Sequence, residues 1–294
     1  MTTTVNPVAL NLRAIWGRAY VRIVGANREP SWIFFDGILP LLGIAAYVFI
    51  YEGFFSAVPT AETRAAVNAL VGFVVLGGVM IAFWMNVLWS MASQLYWEKE
   101  MGNLQLYMLA PMSRMALLGG RAIGGVFMTS VRALVTLVAG IYVFGVHFQL
   151  ANPLLLVGVF FVTLVALYGM GMLFASLYLV WGREAYHMSS LLEEPIFLVS
   201  GFYFPIGAFG SPNFAPWGRA LLVGGSIIPA TLGLDALRQL LFPASPQNFV
   251  FLEVQTELLI LVGLAILFFF LARYSLRYME LLARRDGRLT TRHQ

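Results

Sequence analysis

Arg132, Glu193 and Glu194 are ionisable side chains set inside long apolar runs, with Asp36 and Asn86 as further polar interruptions. A charge in such a place is costly, so it faces a bundle interior or a wet cavity and finds a partner there. A helix beginning near Ala185 puts Glu193 roughly 12 Å along its axis, and Arg132 lies roughly 16 Å beyond Arg121 by the same rise per residue. The depths agree, so one glutamate is expected to pair with Arg132. Adjacent residues diverge by about 100° on a helix, so the two glutamates cannot easily share that partner. The competing reading starts a helix at Pro195, a favoured first position, and leaves both carboxylates in water. Bond-making chemistry has no candidates. The chain has no cysteine, and its histidines, His147, His187 and His293, lack ligand spacing. Lys99 stands between Glu98 and Glu100 rather than in a Gly-Lys-Ser/Thr phosphate loop. No catalytic, cofactor-binding or metal-binding residue is therefore expected.

A second concentration of charge lies in 94–121, QLYWEKEMGNLQLYMLAPMSRMALLGGR. Met101, Leu104 and Met108 recur at i, i+3 and i+7, which predicts an amphipathic helix over 97–109. Pro111 ends it, having no N–H to donate. Such a helix at the end of a membrane bundle is a docking element for a soluble partner. Its candidate contacts are Trp97, Glu98, Lys99, Glu100, Gly102, Asn103 and Leu104.

The elements that hold these groups are apolar. Of 294 residues, 60% are hydrophobic and 11% charged, and the mean hydropathy is +0.81. That excludes an ordinary soluble domain. Six runs reach the ~20 residues that cross a bilayer: 33–54, 66–91, 117–146, 154–181, 186–210 and 256–279. The expected fold is an all-α membrane bundle. The fifth run is broken, and 201–235 reads as a hairpin dipping back into the membrane. Before the bundle, Asn6-Pro7 is a helix start. Leu12, Trp16, Ala19 and Ile23 share one face, and Asn11, Arg18 and Arg22 share the other, predicting an interfacial helix with its arginines toward lipid phosphates. The division is thus 1–30 interfacial helix, 33–279 six-span bundle and 280–294 tail. Six spans put both termini on one side with 94–121. Fourteen basic residues fall on that side and three on the other, so it is the cytoplasmic side. The small net charge of +4 follows from this orientation and not from nucleic-acid binding. Gly120 and Gly124 have the small-xxx-small spacing of a close helix approach. Phe197, Phe202, Tyr203 and Phe204 cluster beside the broken run and could line a route for an amphipathic substrate.

The segment EKEMGNLQLYMLAPMSR resembles the acidic-Gly-x-Leu…Pro-x-Ser-Arg segment of ABC-2 type transporter permeases, through Glu98, Glu100, Gly102, Leu104, Leu106, Pro111, Ser113 and Arg114. EPIFLVSGFYFPIGAFG, then PW and IIPATLGLDALR, is similar to that family's broken fifth span and extracellular hairpin. Asn103, where many relatives carry Thr, and the Glu193-Glu194 pair depart from the pattern. The resemblance implies a permease subunit in a bacterial or archaeal plasma membrane. It implies a second permease copy or homologue and two copies of an ABC ATPase subunit, which carries the ATP and Mg, docked on Trp97–Leu104. The implied activity is ATP-driven export of a lipid-like, drug-like or glycan-linked substrate. Two alternatives are an ion-coupled secondary transporter using Arg132, Glu193 and Glu194 as its relay, and a membrane scaffold or sensor that moves nothing.

Overall fold

The computed structural model describes residues 6–28, 31–58, 60–181, 183–211, 216–243 and 250–285, and all regular structure among them is helical. The N-terminal helix α1 is Pro7–Asn27, and Asn6 caps it by accepting from the Val8 N–H at 3.0 Å. Helix α2, Ser31–Ala57, leads to α3, Ala61–Met85, capped by Thr60. There α3 does not stop. It widens into a π-helical segment, Asn86–Ala92, and continues as α4, Gln94–Glu100. The whole is one apolar helix of 38 residues from Thr63 to Glu100. A short α5, Leu104–Leu109, precedes the long helices α6, Arg114–Tyr142, and α7, Pro153–Trp181. Then come α8, Arg183–Val199, a 3₁₀ turn at 206–210, α9, Gly218–Ser226, α10, Pro229–Leu241, and α11, Val254–Arg285.

Among the described residues, four helices are long and apolar enough to cross a membrane: Thr63–Glu100, Arg114–Tyr142, Pro153–Leu179 and Val254–Leu282. A bent pair, α9 with α10, makes a fifth if counted as one span. The expected second span is longer than 66–91. The expected fifth span, 186–210, ends as a helix at Val199, after 17 residues. Of the expected hairpin 201–235, the part from Gly218 onward belongs to a helix pair, Gly218–Ser226 with Pro229–Leu241, bent by 98°. Its corner has a local cause: Ile228 precedes Pro229, and a residue before proline is pushed out of helical geometry. Of α2, the stretch Leu41–Ala57 is an apolar helix, and the side chains of 32–40, Asp36 included, lie outside the described residues.

The core is built around α3. The most apolar part of this rod is 78% buried, against 17% for α11 at the periphery. Small residues bring neighbours to its backbone: a Cβ on Gly77 would stand 1.6 Å from the Phe202 carbonyl oxygen. Helix α11 lies along α7, joined by Ser176 donating to Ser275 at 2.7 Å. Large apolar side chains of α6, α7 and α11, including Phe127, Leu134, Phe161 and Phe270, stay exposed. A bilayer supplies their contacts.

Candidate functional site

At one end of the bundle the chain turns from α4 into α6. The single amphipathic helix expected over 97–109 is two helices, because Gly102 adopts φ 78°. That conformation is steeply unfavourable for a side chain bearing a Cβ, and it breaks the path after Glu100. The break places Glu98 and Lys99 on the rod side, where they are only 2% and 5% exposed. Neither is a solvated docking charge. Glu98 is ion-paired with Arg18 of α1 and accepts from Gln94 and from the Asn103 amide at 3.2 Å. Arg18 also donates to the Tyr107 hydroxyl at 3.1 Å. Ser113, at the start of α6, donates its backbone N–H to Asn11 at 2.8 Å. One buried carboxylate thus fastens α1, α4 and the chain after the break to each other.

This corrects the expected disposition of α1. Leu12 and Trp16 are exposed, but Ala19 is fully buried and Arg18 turns inward. The Gly120-xxx-Gly124 face of α6 is where α1 lies: a Cβ at Gly120 would meet the Ile15 carbonyl at 2.5 Å, and one at Gly124 the Arg22 Cβ at 2.9 Å. The surface left open on 97–109 is mostly apolar, formed by Trp97, Met101, Leu106 and Leu109 with Gln105 among them. Leu104 is buried, Asn103 and Gly102 are half-buried, and Glu100 is half-buried with one carboxylate oxygen, Oε1, that meets no hydrogen-bond partner.

The π segment is the second meeting point. One extra residue per turn re-aims its side chains, and each polar one reaches a different helix. Asn86 accepts from Tyr168 of α7 at 2.9 Å. Ser90 accepts from Arg121 of α6 at 2.9 Å. Trp89 donates its indole N–H to Glu193 of α8 at 3.1 Å. Helix α8 runs through Pro195 without interruption, so Glu193 and Glu194 are both helical and the reading that starts a helix at Pro195 does not hold. Glu193 turns toward the rod, and Glu194 is exposed. Arg132 is half-buried on α6.

In the aromatic cluster Phe202 is fully buried, and Phe197, Tyr203 and Phe204 are half-buried. Phe197 packs edge-on to Phe202 at 5.5 Å, and Tyr203 stacks on Tyr47 at 3.9 Å. What holds this turn is Arg238, one of the three basic residues counted on the side away from the cytoplasm. It is 1% exposed and donates to the carbonyls of Phe73 at 2.9 Å, Phe202 at 3.1 Å and Phe204 at 3.1 Å. Nearby, buried Asp235 and Glu257 are bridged by the Gln239 amide at 3.1 and 3.3 Å. Asp235, Arg238 and Gln239 together in the mostly apolar α10 were the signal that such a group exists.

A bundle that is all-helical among the described residues, apolar, and joined by a polar turn tied back to its central rod is an integral membrane protein. The family model for ABC-2 type transporters matches residues 32–242, well over half of the chain, and the chain belongs to that family. The match runs from α2 through α10 and leaves α1 and α11 outside it. No curated protein matches the chain.

Proposed function

We propose that this chain is the permease subunit of an ATP-driven exporter that moves a lipid-like, drug-like or glycan-linked substrate out of the cytoplasm. Two copies of a separate ABC ATPase subunit dock at the turn after α4, and a second permease completes the complex. The observation that carries the reading is the Glu98 knot. A partner seated on Trp97, Met101, Leu106 and Leu109 moves a turn that is bonded to α1 and continuous with the rod. ATP-dependent closure of two ATPase domains would bias the bundle through this path, which supplies the differential contact that coupling requires. The ion-coupled alternative is less well supported, since Glu193 is engaged by Trp89 and Glu194 faces outward.

The test is co-purification and transport with the cognate ATPase. Leu106→Asp with Leu109→Asp places charges in an apolar contact and should reduce bound ATPase at least tenfold while the permease still folds. Undiminished assembly and ATP-driven export would overturn the docking assignment. Export that persists without ATP would overturn the functional one.

A further inference from the structure

We propose that the groove between the start of α6 and the end of α11 binds the phosphate of an anionic phospholipid headgroup. The groove encloses about 380 Å³ and is lined by Arg114, Arg273, Arg277 and Glu280 over Met115 and Leu276. Arg114 pairs with Glu280 at 2.9 Å, which leaves the positive excess on Arg273 and Arg277. These two lie one helical turn apart, so they share a face, and both are exposed. A planar guanidinium matches a phosphate through two parallel hydrogen bonds. Ser113 also lines the groove and makes no side-chain bond to the first turn of the 29-residue α6, whose positive dipole end therefore meets the same space.

Depth selects a lipid over a soluble phosphate. From Val254 to Arg273 is roughly 28 Å of helix, close to the ~30 Å hydrocarbon thickness of a bilayer. Exposed Tyr274 and Tyr278 sit at this level, where aromatic side chains mark the interface. Met115 and Leu276 give an apolar floor for the glycerol and the first methylenes. The site rests on α11 crossing the bilayer and does not depend on the ATPase reading.

The experiment is native mass spectrometry of the full chain titrated with phosphatidylglycerol or phosphatidylcholine. Wild type should retain phosphatidylglycerol preferentially. Arg273→Gln with Arg277→Gln should lose roughly 25-fold in that retention, at about fivefold per arginine, and phosphatidylcholine, whose phosphate charge is offset by its choline, should lose much less. Excess inorganic phosphate should not displace the lipid. Equal retention of both lipids by wild type, or undiminished phosphatidylglycerol on the variant, overturns the proposal. Displacement by inorganic phosphate also overturns it, assigning the groove to a soluble anion. Loss of ATPase binding with lipid retention intact would make the groove a protein interface, which equally overturns it. If the double variant fails to fold, Arg277→Gln alone should show the fivefold loss, and an unchanged value counts against the site.

Discussion

Arg238 shows what a single residue does in this protein. Its guanidinium satisfies three backbone carbonyls from two separate stretches of chain, and it stands 5.0 Å from the Phe73 ring centroid. Arg238→Met keeps much of the volume and orphans the Phe202 and Phe204 carbonyls, while the Phe73 carbonyl keeps its place within α3. Each buried unsatisfied group costs about 1–3 kcal/mol, so a loss of roughly 2 kcal/mol or more is expected. Thermal unfolding in detergent reads it, and a wild-type midpoint would refute the role. Glu98 is the counterpart at the other site. Glu98→Ala leaves Arg18 half-buried without its carboxylate, at about 3–5 kcal/mol for one broken buried pair, and should raise amide exchange across α1 and α5. Exchange confined to its wild-type pattern would show that the knot is not what holds α1. Neither role was legible in sequence. A buried arginine and an exposed one look alike in a chain where arginine also marks orientation, and Glu98 sits among residues read together as contacts for a soluble partner.

The elements were legible where local chemistry decides them. Asn6-Pro7 starts α1, Pro229 starts α10, and the long apolar runs are helices. The π segment was not legible, because NVLWSMA carries no glycine or proline to mark it. Its extra residue is fixed by what Asn86, Trp89 and Ser90 reach on three other helices. The break at Gly102 did have a signal, but an apolar periodicity drawn straight through it prevailed in the reading. Close helix approach gives a test at this scale. Gly120→Val places branches where the Ile15 carbonyl already lies 2.5 Å from a bare Cβ, so α1 should lift off α6. Hydrogen exchange over 7–27 should rise about tenfold or more while α7 and α11 keep their protection. Unchanged exchange would mean that α1 is held elsewhere.

At the scale of the whole molecule, the apolar runs gave the bundle but not its number of spans, because a 17-residue helix and a bent pair fall between a crossing and a cap. The missing cysteines make the topology directly measurable. Single cysteines at Leu109 and Arg285 should label from one side of the membrane, and those at Ala61 and Tyr142 from the other. Mixed sidedness within either pair would refute the orientation. The rod has a mechanical corollary. At 1.5 Å per residue, Thr63–Glu100 measures roughly 57 Å, nearly twice the ~30 Å hydrocarbon thickness. Its polar attachments to other helices run along its length, from Arg64 on Glu52 of α2 and the Phe73 carbonyl on Arg238 of α10 to Asn86, Trp89 and Ser90. Held on both sides of its middle, it is a tie rod and not a lever. A push at the Glu100 tip is carried along its axis to the Phe73 carbonyl, roughly 40 Å away.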